Sequence, residues 1–209
     1  HEPPDEPAES GLAELREAQL SALRLTRTAA ASAVDLGDVQ DIHPTRKKEV
    51  GIRLARAALA TCYGRNLEFR GPTLRRVSLA AGVAELTFDH ADGLHARGGR
   101  PVGFAVAGDD GRYCWAEARI DGPTVTLTSA RVPAIRSVRY NWADNPAGNL
   151  YNAAGLPMLP FRTDDRPYTT LWPAHTGGEE GPAAEARSRG RDSRTATDRL
   201  NRTKEDRTW

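Results

Sequence analysis

Cysteine is scarce: Cys62 and Cys114 are the only two in 209 residues. One pair makes neither a disulfide framework nor a four-ligand metal cage. Aromatic residues make up 6%, so a core must rest chiefly on aliphatic side chains. No run approaches the about 18 consecutive apolar residues of a membrane-spanning helix, and no membrane partner is expected. An excess of charge is also lacking, since 29 Lys and Arg against 28 Asp and Glu leave a net charge of +1. With no basic surplus to release counterions from phosphates, a nucleic-acid partner is not expected either. Methionine occurs once, as Met158, and the chain opens at His1. We therefore expect a piece of a longer reading frame. What is present is a globular balance, 39% hydrophobic and 27% charged, enough for one or two domains.

The first ten residues hold Glu2, Asp5, Glu6 and Glu9 with three prolines, and read as a linker. Ser10 stands where an N-cap belongs. Leu12, Leu15, Gln19, Ala22 and Leu23 follow at helical spacing, which predicts an amphipathic helix over 11–24. Thr28 to Leu36 is small and apolar without a helical stripe, and reads as a short buried strand. After the loop Gly37–Pro44, Thr45 can cap a second helix with Val50, Leu54, Ala57, Ala58 and Thr61 on one face. Gly64 ends it.

Beyond Gly64 the period changes from 3.6 to 2. Strands are expected at Leu67–Phe69, Leu74–Ala80, Val83–Asp89, Val102–Ala107, Tyr113–Ile120, Thr124–Thr128 and Ile135–Trp142. Turn residues separate them, Asp121-Gly122 being the clearest hairpin signal. Short strands so spaced indicate an antiparallel sandwich. From Pro173 to Trp209, 15 of 37 residues are charged and only Leu200 and Trp209 are large and apolar. Such a segment cannot offset its chain entropy. The expected fold is thus mixed α/β plus all-β. Residues 1–10 are a linker, 11–64 the closing helix–strand–helix of an α/β/α domain, 65–167 a β-sandwich with its closing segment, and 168–209 a disordered tail. One strand and two helices cannot close a core alone, so the rest of that sheet is expected elsewhere.

The loop between the predicted strand and the second helix packs Asp35, Asp38, Asp41 and His43 into nine residues. In open α/β sheets function gathers at the carboxyl ends of strands. A His two residues after an Asp can reach that carboxylate, which fixes its tautomer and leaves the other nitrogen as a base near neutral pH. Pro44 restricts His43 to extended geometry. A polar loop whose Asp side chains bond their own backbone is the plainer alternative.

Several strings then fall into register. Glu9-Ser10-Gly11-Leu12-Ala13-Glu14-Leu15-Arg16-Glu17-Ala18-Gln19 resembles the S-G-W-A-E-L-R-E-A-Q segment of sialate O-acetylesterases, with Leu12 in place of Trp. Val34-Asp35-Leu36-Gly37-Asp38 through Asp41-Ile42-His43-Pro44 resembles their D-L-G-D-x-x-D-I-H-P block. Arg53-Leu54-Ala55 with Tyr63-Gly64 resembles the helix that follows it. Val138-Arg139-Tyr140-Asn141-Trp142-Ala143-Asp144-Asn145-Pro146, Asn149-Leu150-Tyr151-Asn152, Gly155-Leu156-Pro157 and Pro160-Phe161-Arg162-Thr163-Asp164-Asp165 resemble their later segments. Motifs this long, in order, over about residues 9–167 are a strong signal.

The resemblance places the chain with SGNH (GDSL-like) hydrolases, and 11–64 with the end of their α/β/α domain. It implies a carboxylic ester hydrolase that removes acetyl esters from sugar hydroxyls by a Ser-His-Asp acyl-enzyme route, with no cofactor and no metal. His43 matches the general base. The usual D-x-x-H spacing would place Asp at position 40, where this chain has Gln40. Asp41 is therefore the candidate orienting group and Asp38 its rival. No G-D-S and no G-x-S-x-G occurs, so the serine is expected on the missing N-terminal part of the same hydrolase domain, and this chain alone should be inactive.

Other residues carry weaker signals. Arg16 and Gln19 read as a solvated helix face. Asp89, His90, Asp92 and His95 are metal-ligand types, but their spacing fits a hairpin loop better than a metal site. Trp115, Tyr140 and Trp142 suit a sandwich core more than a sugar platform. Asn145-Pro146 and Asn149 to Asn152 read as turns, and Arg162 as a surface partner of Asp164 or Asp165. The competing function is a non-catalytic β-sandwich that binds carbohydrate or protein, which would need no Asp41–His43 block.

Overall fold

The computed structural model describes residues 7–41 and 43–171. The expected disorder of 172–209 falls outside them, as do residues 1–6 and Ile42 of the Asp41–Pro44 block. Among the described residues, two helices precede ten strands. The helices are α1 (Gly11–Leu20), continued by a 3-10 turn Ser21–Arg24, and α2 (Lys47–Thr61). The strands are β1 (Thr73–Ala80), β2 (Val83–Asp89), β3 (His95–Ala96), β4 (Phe104–Ala107) and β5 (Cys114–Trp115), then β6 (Glu117–Asp121), β7 (Thr124–Thr128), β8 (Ser137–Tyr140), β9 (Leu150–Tyr151) and β10 (Phe161–Arg162). The result is two helices beside mostly antiparallel sheet.

The strands form two four-stranded sheets, ordered β1-β2-β7-β6 and β10-β8-β4-β5, with a small β3-β9 ladder. All pairs are antiparallel. One core joins the two sheets. Ala84, Leu86, Phe88, Val125 and Leu127 come from the first, and Phe104, Val106, Val138 and Tyr140 from the second. Alternation builds this core. In β2 the inward side chains are Ala84, Leu86 and Phe88, while Glu85 and Asp89 face water. Phe104 lies 4.6 Å from Tyr140, and Phe161 stacks on Tyr140 at 6.0 Å between ring centroids. Met158 is fully buried among these side chains. Gly122 (φ 55°) and Pro123 make the two-residue turn between β6 and β7, after the predicted Asp121-Gly122 signal.

Several expectations need correction. No strand forms at 28–36; the segment is irregular, half-buried, and ends in a turn at Val34–Leu36 closed by Leu36 N–H to the Ala33 carbonyl at 3.0 Å. A strand exists only with a ladder partner, and none of the described strands pairs with this segment. Leu67–Phe69 likewise stays outside any sheet. The single strand expected at Tyr113–Ile120 is two: β5 pairs with β4, β6 with β7, and the chain changes sheet at Ala116. Thr45 does not cap α2; Arg46 holds that position, without a side-chain bond to the helix's first N–H groups.

Helix α1 turns the opposite way to its apolar spacing, whereas the face expected of α2 is largely covered: Ala57 is buried, Val50, Ala58 and Thr61 are intermediate, and Leu54 is exposed. On α1 the buried residues are Ala13 and Glu14, while Leu12 and Leu15 are about half exposed. On α2 they are Arg53 and Ala57, while Ile52, Leu54, Leu59 and Tyr63 are exposed. Polar side chains contribute much of the docking of both helices, and several large apolar side chains on each stay open. Among the described residues no helix is long and apolar enough to cross a membrane.

Candidate active site

Polar bonds from both ends of the described chain fix α1 on the sandwich. Ser10 caps the helix, its Oγ accepting from Ala13 N–H at 3.0 Å. The same hydroxyl donates to Asp144 Oδ1 at 2.6 Å. Arg16, expected in solvent, donates to the carbonyls of Ala143 and Asp144 at 2.7 and 2.8 Å. Glu14, buried, accepts from the N–H and hydroxyl of both Thr169 and Thr170. Burial opposes its ionisation, but the bonds from Thr170 and Thr169 outweigh it and hold the carboxyl down at about 2. Glu17 takes Arg162 at 3.0 Å and the Tyr168 hydroxyl at 2.6 Å. Residues 168–171, assigned to the tail on composition, are thus bound to α1. Glu9, assigned to the linker, pairs with Arg139 at 2.9 Å.

Arg139 is the hub of this face. It is buried, forks onto both oxygens of Asp164 at 2.8 and 3.1 Å, and lies 4.1 Å over the Tyr113 ring. Desolvation opposes ionisation of Asp164, yet its bonds with Arg139 and Tyr113 push its carboxyl well below the ordinary range. Burial and the bond to Asp164 raise the Tyr113 phenol to about 12. Arg162 also reaches Asp164, at 3.3 Å, but its side chain is largely buried rather than on the surface. Tyr140 is core, as expected, with its hydroxyl near Leu150 N–H at 3.2 Å.

The segment from Ser32 to Lys47 holds the residues for which a catalytic role was expected. His43 Nδ1 lies 3.2 Å from Asp41 Oδ1, and the same oxygen accepts the His43 backbone N–H at 2.8 Å. The pairing expected from the two-residue spacing is therefore present, with Nε2 left unengaged among the described residues. Asp38 does not reach His43; its Oδ1 accepts the Gln40 N–H at 2.9 Å. Both members of the pair are open, with side chains 78% and 58% exposed. A base so open to water lacks the dry surroundings that strengthen catalytic electrostatics.

Below the loop lies a group that the sequence pattern did not single out. Asp35 forks with Arg53 of α2 at 2.6 and 2.8 Å, and Arg53 also donates to the Ser32 carbonyl at 2.6 Å. Both side chains are below 10% exposed. Tyr151 of β9 donates its hydroxyl to Asp35 Oδ2 at 3.1 Å. Burial alone would raise the Asp35 carboxyl; the Arg53 bonds and charge, with the Tyr151 hydroxyl, lower it. Burial, then the Asp35 charge, raises the Tyr151 phenol. Asp35 was counted with the acidic loop, whereas Arg53 and Tyr151 were marked only by falling inside matched strings.

A groove of about 590 Å³ runs between α1, residues 30–39 and the loops at 144–146 and 159–160. Leu12, Ala30, Val34 and Val39 give it an apolar wall, and Arg16, Gln19, Asp38 and Asp144 its polar rim. Elsewhere His90 pairs with Glu68 at 2.9 Å, and His95 Nδ1 lies 2.9 Å from the Gly93 carbonyl. Among the described residues no cluster of three or more His, Cys, Asp or Glu could hold a metal ion. Cys62 is exposed and Cys114 buried, both as free thiols.

No protein-family model matches the chain, and no curated protein matches it. Among solved structures, a carbohydrate acetylesterase from Xanthomonas citri is similar at 44% identity and a TM-score of 0.72, over 74% of this chain. The match takes in 36% of that esterase, so this chain spans about a third of its length.

Proposed function

We propose that this chain is the base-bearing part of a carbohydrate O-acetyl esterase of the sialate O-acetylesterase type. The observation that carries the reading is the likeness to a carbohydrate acetylesterase at 44% identity. The Asp41–His43 pairing supports it from within the chain.

The chemistry follows from that pair. A serine hydroxyl, supplied from outside the chain, attacks the acetyl carbonyl of a sugar ester. His43 takes the serine proton through Nε2 while Asp41 holds Nδ1–H and stabilises the imidazolium. His43 returns the proton to the departing sugar oxygen, leaving an acetyl-enzyme. A water then attacks the acetyl carbon, His43 accepting its proton, and acetate leaves with the serine restored. Asp41, rather than Asp38, is the orienting group in this reading.

The division of labour is also a proposal: 11–64 completes an SGNH-type hydrolase domain and 65–167 is the accompanying sandwich. The unpaired segment 28–34, the groove beside it and the open faces of both helices are the surfaces that the rest of the hydrolase domain covers. Supporting this, Leu12, Leu15, Ile52 and Leu59 are each 41–51% exposed, an unusual amount of open apolar surface for a finished domain. The test is to assay residues 1–209 alone, and the longer polypeptide that holds them, on an aryl acetate and on an O-acetylated sugar. Activity in the longer polypeptide only supports the reading. Hydrolysis by 1–209 alone, or none by either, overturns it.

A further inference from the structure

The described residues of the loop from Gly37 to His43 make few bonds beyond the loop. Its side chains close small local turns, Asp38 onto Gln40 and Asp41 onto His43. Its position is therefore set at its two ends. Downstream, α2 begins at Lys47, and Arg46 donates back to the Asp35 carbonyl at 3.3 Å. Upstream, Leu36 is 2% exposed and Asp35 is locked by the Arg53 fork. Both ends thus converge on one ion pair. That pair is tied to the sandwich by the Tyr151 hydroxyl, across 116 residues of chain.

Tyr151 is itself held. It pairs with His95 in the β3–β9 ladder, and the Arg97 guanidinium lies 3.5 Å over its ring. Its neighbour Asn152, 1% exposed, donates to the carbonyls of Arg70 and His90 and accepts from Leu156 N–H. The bond to Asp35 thus starts from a rigid part of the sandwich. A buried ion pair adds little net stability but is costly to misplace, which suits it to fixing geometry.

We infer that Tyr151, through Asp35 and Arg53, is a positioning residue that fixes the loop bearing Asp41 and His43 against the sandwich. The inference rests on the proposed esterase reading for its functional meaning, but not for its structural one. The sandwich is then a brace for the base. A shift of about 1 Å in a reacting group can lower a rate about a hundredfold, so a base on an exposed loop needs such a brace.

The test has two arms. In residues 1–209, backbone 15N relaxation is measured for the parent, Tyr151→Phe and Asp35→Asn. Tyr151→Phe deletes one hydroxyl and keeps the ring under Arg97. The expected result is that amides of 37–41 and 43 fall from order parameters near 0.85 toward about 0.6, more in Asp35→Asn, while those of β2, β4, β7 and β8 stay unchanged. Unchanged loop amides in Tyr151→Phe, or an equal change in every strand, overturn the brace. If Asp35→Asn fails to fold, Tyr151→Phe and Arg53→Lys decide, the latter keeping the charge but losing the fork.

In the longer polypeptide, Tyr151→Phe should lower kcat on an aryl acetate about tenfold or more at unchanged KM. A mobile loop with unaltered kcat overturns the positioning role. A parent polypeptide with no esterase activity overturns the esterase reading alone, and the relaxation arm still decides the brace.

Discussion

Glu14 anchors residues 168–171, and Glu14→Gln probes that anchor with almost no change of shape. The carboxylate accepts from the N–H and hydroxyl groups of Thr169 and Thr170. An amide offers one accepting atom in place of two and turns an N–H toward donors. Bonds to a charged acceptor contribute about 1.5–3 kcal/mol each, so losing half of them costs about 3–6 kcal/mol if nothing relaxes. A second route gives a ceiling. The carboxyl titrates at about 2 instead of 4.5, which corresponds to about 3 kcal/mol of preference for the charged form. The lower figure is the better guide, because residues 168–171 can detach and regain water. In a domain of this size about 3 kcal/mol lowers Tm by about 6–12 °C.

The pH dependence gives this argument its sharpest test. A carboxyl depressed in the folded state stabilises fully above its unfolded value, and that stability is lost as pH falls through the folded value. The Tm gap between parent and Glu14→Gln should be full at pH 7 and close between about pH 5 and pH 2. Thermal melts followed by circular dichroism, at one ionic strength, read both numbers. A gap that is absent at pH 7, or that keeps its size down to pH 2, would show that the Glu14 charge does not hold residues 168–171.

Three further outcomes can be checked directly. Gly71→Ala puts a Cβ 1.7 Å from the Pro157 carbonyl oxygen, whereas Gly122→Ala, at φ 55°, meets nothing within 4 Å. Denaturant melts should show a loss of about 1 kcal/mol for Gly122→Ala and a clearly larger one for Gly71→Ala. Residues 1–209 should bind a hydrophobic dye, and the double variant Ile52→Lys with Leu59→Glu should weaken that signal while its stability stays within about 0.5 kcal/mol. In the longer polypeptide, Asp41→Asn should lower kcat while Asp38→Asn leaves it nearly unchanged, by steady-state kinetics; the reverse order would assign the orienting role to Asp38.

What the sequence disclosed depended on the range of the interactions. β2 and β7 were legible because one face of each is core and the alternation writes that into Ala84, Leu86, Phe88, Val125 and Leu127. The Asp41–His43 contact was legible because two residues separate its members. The Asp35–Tyr151 bond was not, because it joins residues 116 apart. The strand expected at 28–36 failed for a related reason: small apolar residues allow a strand, but only a neighbouring strand makes one. Helix α1 misled because its apolar spacing was read as the buried side, and on α2 the burial of Arg53 beside Ala57 was missed. In the fold, Glu14 and Arg53 face inward with Thr169, Thr170 and Asp35 as partners, and those partners could not be inferred from spacing.

The proposed role of His43 as the base of an acetyl ester hydrolase can be tested in one comparison. The direct measurement is kcat/KM on an aryl acetate for the longer polypeptide and its His43→Ala variant, with folding checked by the coincidence of their thermal melts. The expected loss is about three to six orders of magnitude, the scale seen when a member of a Ser-His-Asp triad is removed. A folded His43→Ala protein that keeps most of its activity would contradict it.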